Sequence, residues 1–140
     1  MSALNIYHLT SDISLMKIFS VEEANAMIPA VRTILLGIQR AHRRLLAYEQ
    51  QAKHAAEGAE RGGGGMPEGP RYVSFLIELF SGAGELEALG VQLKDQSRGL
   101  IDFPSLRDGR VVLLCWHLGE GDQIEWWHDV EAGFAGRQPL

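Results

Sequence analysis

The sequence predicts an α+β fold: a long antiparallel helical hairpin followed by a small three- to four-stranded antiparallel β-meander. Three observations predict it. Apolar residues recur at helical spacing from about residue 20 to residue 89, with one glycine-rich interruption. After Gly90 the spacing changes to the alternation of strands. Two turn signals, Asp108-Gly109 and Gly119-Glu120-Gly121-Asp122, then divide the apolar segments. At 140 residues the chain fits one domain, which we place at residues 16–140.

Residues 1–15 read as an N-terminal extension, with an edge strand through Ile6, His8, Ile13 and Leu15 as the alternative. Ser20-Val21-Glu22-Glu23 is a capping box, because Ser20 and Glu23 can satisfy each other's free amides, so a helix starts at Val21. Pro29 either kinks that helix or begins a new one at its first position. From Ala30 to about Glu57 the row Val31, Ile38, Leu45 and Ala52 repeats every seven residues, with Ile34, Leu35, Ala41 and Tyr48 filling the stripe. A helix of about 40 Å carries more apolar face than a small domain covers, so it needs a partner helix, within the chain or from another subunit.

Residues 58–70 read as a flexible linker, with consecutive glycines at 62–65 and no Gly-Lys-Ser/Thr that would make a phosphate loop. A second helix runs from about Arg71 to Leu89 on Tyr72, Leu79 and Leu86, flanked by Leu76, Phe80 and Ala83. Gly82 and Gly84 either weaken it or allow a close helix approach, and Gly90 suits the left-handed residue after its end. The meander spans residues 91–128, with strands at Val91–Lys94, Leu100–Phe103, Arg110–Leu118 and Gln123–His128. Residues 129–140 form a tail anchored by Phe134.

Several stretches carry a resemblance. They include Phe19-Ser20-Val21-Glu22-Glu23-Ala24-Asn25, Gly90-Val91-Gln92-Leu93-Lys94-Asp95 and Arg98-Gly99-Leu100-Ile101-Asp102-Phe103-Pro104. Leu114-Cys115-Trp116, Leu118-Gly119-Glu120, Trp127-His128 and Gly133-Phe134-Ala135-Gly136-Arg137 continue it. In these the chain resembles the domain of unknown function 2203 family, uncharacterised bacterial proteins that sometimes carry a division-initiation label. The resemblance covers nearly everything from Met16 onward and is most specific in the C-terminal half. It implies a family pattern and no reaction.

The segment from Gly99 to His128 holds all three tryptophans and the only cysteine. By strand parity Val111, Leu113, Cys115 and His117 share one face, and Ile124, Trp126 and His128 share a face of the next strand. A two-residue turn at Glu120-Gly121 pairs Cys115 with Trp126, and one at Gly121-Asp122 pairs Cys115 with His128; both put Cys115, His117 and His128 on one side, whereas a loop of odd length puts His128 on the opposite face. Those three residues are candidate ligands for zinc or another transition metal, with Asp102 or Asp129 as a carboxylate ligand. A lone apolar-flanked cysteine is usually a small buried hydrophobe, and the remaining reading of Cys115 is a thiolate activated by His128 and oriented by Asp102 or Glu125. Asp102 needs a partner among Arg98, Arg110 and Arg137, or else serves as an acid/base group. Trp116 and Trp127 read as cross-strand packing or as a ligand platform, and Arg137 as a C-terminal docking residue or an anion clamp. Candidate site residues are therefore Asp102, Cys115, Trp116, Glu125, Trp127, His128 and Arg137, with no small-molecule ligand identified.

A net charge of −5 disfavours nucleic acid and anionic membrane surfaces as partners, although Arg40, Arg43 and Arg44 make a local basic patch. No apolar run reaches the roughly 20 residues of a bilayer span. One cysteine forms no internal disulfide, which together with the absence of a signal-like N-terminus favours a cytoplasmic setting. The sequence favours a non-enzymatic assembly or interaction protein, a homodimer through coiled-coil-like helices. The alternative is a metal-binding or metal-dependent enzyme with its site around Cys115, His128 and Asp102.

Overall fold

The computed structural model describes residues 16–60 and 69–140. Two helices, α1 (Val21–Glu60) and α2 (Gly69–Leu89), precede five strands: β1 (Gln92–Asp95), β2 (Leu100–Arg107), β3 (Arg110–His117), β4 (Trp126–Asp129) and β5 (Gln138–Pro139). The sheet order is β1-β2-β3-β4-β5 and every neighbouring pair is antiparallel. The expected helical hairpin and meander are both present. The extension at residues 1–15 and residues 61–68 of the linker lie outside the described residues. The rest of the 58–70 segment belongs to the ends of the two helices.

The capping box forms as its residues dictate. The Ser20 amide donates to Glu23 Oε1 at 3.1 Å, and the Glu23 amide donates to Ser20 Oγ at 3.0 Å. Donation from the Ser20 amide holds the Glu23 carboxyl below the usual carboxylate range. Pro29 does not start a new helix, since α1 continues through it. One turn earlier, Asn25 turns its side chain to the β3–β4 connection, where Oδ1 accepts from the Ile124 amide at 2.7 Å and Nδ2 donates to Gln123 at 2.8 Å. Arg32 reaches the same connection through Asp122, also at 2.8 Å.

The heptad stripe of α1 is used inside the chain. Val31, Leu35, Ile38, Ala41 and Leu45 are buried, and Tyr48 meets Tyr72 of α2 at 4.9 Å between ring centroids. Gly82 allows the close approach of the helices, because a Cβ there would sit 2.6 Å from Ile38 Cγ1. Gly90, at φ 83°, ends α2 in a Schellman motif: Val91 N donates to Leu86 O and Gly90 N to Glu87 O, both at 2.9 Å. Leu86 and Val91 are both buried and supply the apolar contact that goes with the motif.

In the sheet, Asp108 (φ 51°) and Gly109 (φ 78°) form the two-residue turn that the sequence predicts, closing β2 onto β3 with Arg107 opposite Arg110. One face carries Ile101, Phe103, Val112, Leu114, Trp116 and Trp127 into a core shared with α1 and α2. Phe19, just before α1, joins it: its amide donates to Pro104 O, its carbonyl accepts from Ser105 Oγ, and its ring packs edge-on against Phe103 at 5.2 Å.

The C-terminal segment departs from the expected tail. It makes a short 3-10 turn at Phe134–Gly136 and then the fifth strand, β5, which pairs Pro139 with Trp126 and Gln138 with Trp127. Leu140 N donates to Glu125 O at 2.9 Å and closes the end. Among the described residues, no helix is long and apolar enough to cross a membrane.

Candidate functional site

On the face of the sheet turned away from the helices lie Leu100, Asp102, Leu113, Cys115 and His128, all buried. Register places them there. The Asp108-Gly109 turn sets Asp102 opposite Cys115, and the β3–β4 pairing sets Leu113 opposite His128 and Cys115 opposite Trp126. That last register is one the sequence allows, although the connection runs from Leu118 to Glu125 and is not a tight two-residue turn. Asp102 and His128 therefore reach toward each other across β3.

They meet as a pair. His128 Nε2 lies 3.1 Å from both carboxylate oxygens of Asp102, and each side chain is 3% exposed. The other ring nitrogen, Nδ1, lies 2.8 Å from the Asp129 carbonyl. A carbonyl only accepts, so Nδ1 donates there, and the network assigns one further proton to the gap between Nε2 and Asp102. Asp102 thus pairs with His128, not with the arginines that the sequence offers. Arg110 bonds Asp129 at 3.0 Å, Arg98 stacks on Phe134 at 4.2 Å, and Arg137 bonds Glu120 at 2.9 Å.

Cys115 completes the cluster. One ligand-capable atom from each of Asp102, Cys115 and His128 lies within 4.8 Å of the others, and all three residues are buried. Burial pushes the Cys115 thiol up to about 12, with the negative charge of Asp102 acting in the same direction. A thiolate nucleophile needs its proton removed near neutral pH, and burial of Cys115 acts in the opposite direction. His117 shares the face, but its ring turns elsewhere: Nδ1 donates to Leu118 O at 2.7 Å and Nε2 lies 3.6 Å from Glu120.

The other candidates divide by location. Trp116 is in the helix-side core, donates Nε1 to Gly121 O at 2.9 Å and lies under Arg32. Trp127 is also on that side, beneath Arg107, and its buried Nε1 has no hydrogen-bond partner among the described residues. Glu125 is exposed. Arg137 is at the cluster: its guanidinium is held between Trp126 at 4.8 Å and Phe134 at 4.4 Å, 3.9 Å from Cys115 Sγ, with Glu120 as its partner. The Arg137–Glu120 pair thereby pins the C-terminal segment over the sheet.

Beside the cluster is a cavity of about 140 Å³. Asp102 and His128 form its polar wall, Leu100, Leu113 and Phe134 its apolar walls, and Lys94 borders it. Leu100, Leu113, Phe134 and Lys94 were not among the site candidates. The turn at Asp108-Gly109 was the signal that could have placed Asp102 against Cys115.

A second feature lies on the hairpin. Only Leu86 of α2 is buried, although the helix is rich in apolar residues. Tyr72, Leu76, Leu79 and Ala83 are half-buried, on the face turned to α1. Val73, Ile77, Phe80 and Gly84 are exposed, Phe80 at 70%, and are spaced four, three and four residues apart. That is the spacing of a helix–helix seam. Between the helices, beside Ile77, runs a groove of about 620 Å³ with Arg40 and Arg44 on the α1 wall and Glu78 and Glu85 on the α2 wall.

No curated protein and no solved structure matches the chain. A family model described as "Uncharacterized conserved protein (DUF2203)" matches residues 17–140, the part that holds the hairpin, the sheet and the buried cluster. The chain belongs to that family.

Proposed function

We infer that the protein is a non-enzymatic assembly protein that pairs with a second copy of itself through α2. The observation that carries this is the exposed seam of Val73, Ile77 and Phe80, with Gly84 at its end. A soluble helix has one apolar stripe, facing its own core. Here α2 has two, and α1 occupies only the first. A contiguous apolar face with polar borders marks an interaction surface.

The self-complementary apolar seam supports a second copy as the occupant. Between Glu23 and Glu49, α1 carries Arg32, Arg40, Arg43 and Arg44 and no acidic residue. On α2 the acids are Glu78, Glu85 and Glu87. Within one copy Glu78 already lies 3.9 Å from Arg44, so the apolar seam carries the pairing, and a twofold axis through it lets the same patch serve both subunits. The net charge of −5 supports a protein partner over nucleic acid. The single, buried cysteine supports a reducing, cytoplasmic setting.

Light scattering with analytical sedimentation tests the reading. The wild-type chain sediments as a dimer at micromolar concentration, and Ile77→Ser/Phe80→Ser sediments as a monomer with unchanged helix content. A wild-type chain that stays monomeric throughout that range overturns it, as does a double variant that dimerises equally well.

A further inference from the structure

Asp102, Cys115 and His128 occupy space that apolar side chains would fill at least as well. A buried ion pair rarely adds net stability over a hydrophobic replacement of the same volume. Yet three different donor atoms, a carboxylate oxygen, a sulfur and an imidazole nitrogen, converge within 4.8 Å of one another. Donors around a tetrahedral zinc ion, at bond lengths of about 2.0–2.3 Å, stand about 3.3–3.8 Å apart. The 3.1 Å separations between His128 Nε2 and Asp102 are already near that range.

Two further observations bear on the same point. The Nδ1 hydrogen bond to the Asp129 carbonyl fixes the His128 ring so that Nε2 is the atom facing the cluster. Imidazoles that bind metals are held by the same outer hydrogen bond. Charge also balances: one thiolate, one carboxylate and a divalent ion sum to zero, as a buried site requires. Arg137, the cation beside Cys115, adds no net charge because Glu120 neutralises it.

We propose that Asp102, Cys115 and His128 form a site for a divalent transition metal of the zinc type, with three protein ligands and a fourth position open to the adjoining cavity. The mixed nitrogen, oxygen and sulfur donors select zinc or cobalt over magnesium or calcium, which take oxygen alone. Binding displaces two protons: one from the Cys115 thiol and one from the gap between His128 and Asp102. The cavity of about 140 Å³ has room for water, or for one oxygen of a small carbonyl or carboxylate ligand, at the fourth position. Lys94 at its border favours a ligand that carries negative charge.

Cobalt(II) titration of the full chain, stripped of metal with a chelator, is the test. One equivalent binds, with a thiolate-to-cobalt charge-transfer band in the near ultraviolet and the visible bands of a four-coordinate ion, and zinc abolishes both. Cys115→Ser loses the charge-transfer band. Should that variant not fold, the wild-type chain still decides the matter: calorimetry in buffers of different ionisation heat reads about two protons released per ion. Failure to retain cobalt or zinc stoichiometrically after desalting overturns the proposal, and so does bound cobalt without a thiolate band. The site does not depend on self-association, and Ile77→Ser/Phe80→Ser binds cobalt as the wild type does.

Discussion

The far face of the sheet and the outer face of α2 handle their surfaces in opposite ways. The sheet face carries polar groups, Asp102 and His128, and the chain covers them: Phe134 and Arg137 fold over, and β5 locks the end. The α2 face carries apolar groups, Val73, Ile77 and Phe80, and among the described residues nothing covers them. Hydrophobic burial alone would favour the reverse arrangement, with the polar cluster in water and the apolar seam inside. The two departures from that rule mark the regions where a function beyond folding is to be sought.

The comparison breaks most sharply at the buried pair. Asp102→Ala strands His128 Nε2 in an apolar surrounding and is expected to cost about 3–5 kcal/mol, read by urea denaturation. A loss under 1 kcal/mol would mean that water reaches the pair and that the C-terminal segment is a loose cover. On the hairpin, Gly82→Ala and Gly84→Ala separate the inner and outer faces of α2. At Gly82 the added methyl meets the β-branched Ile38, and the expected cost is about 1–3 kcal/mol. At Gly84 nothing of the same chain lies within 4 Å, so in the monomeric Ile77→Ser/Phe80→Ser background alanine stabilises the helix by about 1 kcal/mol. Equal effects at the two positions would remove the distinction between the faces.

The smallest effect is at the start of α1. The folded Glu23 carboxyl titrates below its unfolded value. Its contribution is therefore present above the unfolded value, about 4.3, and is lost as pH falls through the folded one. Glu23→Ala is less stable than wild type at neutral pH, and the difference between the two melting temperatures closes on acidification below that range. A difference that widens in acid would contradict the capping geometry.

Local chemistry was legible in the sequence. Ser20 and Glu23 are three residues apart, Asp108-Gly109 closes a hairpin with no outside help, and Gly90 ends α2 where no side chain is tolerated. Strand parity put Cys115 and His128 on one side only for an even loop between the strands, and the register of β3 with β4 supplies that condition. Longer-range facts were not legible. Asp102 and His128 meet only because three strands stack in register, and the arginines nearby in sequence looked like better partners. Pro29 left a kinked helix and a new helix start both open, because spacing does not show that one helix runs through it. Residues 129–140 looked like a tail because Gln138 and Pro139 carry no alternating pattern. The heptad stripe of α1 suggested a partner helix, but periodicity could not say that α2 would take that place and leave its own outer face bare.

Whether that bare face is covered by a second copy is most directly tested by isotope-filtered nuclear Overhauser spectroscopy on a mixture of labelled and unlabelled chains. The account predicts contacts between copies from the Val73 and Ile77 methyl groups and the Phe80 ring, and none from the buried Leu86. A mixed sample with no contacts between copies at those residues, tumbling as a 15.5 kDa particle, would contradict it.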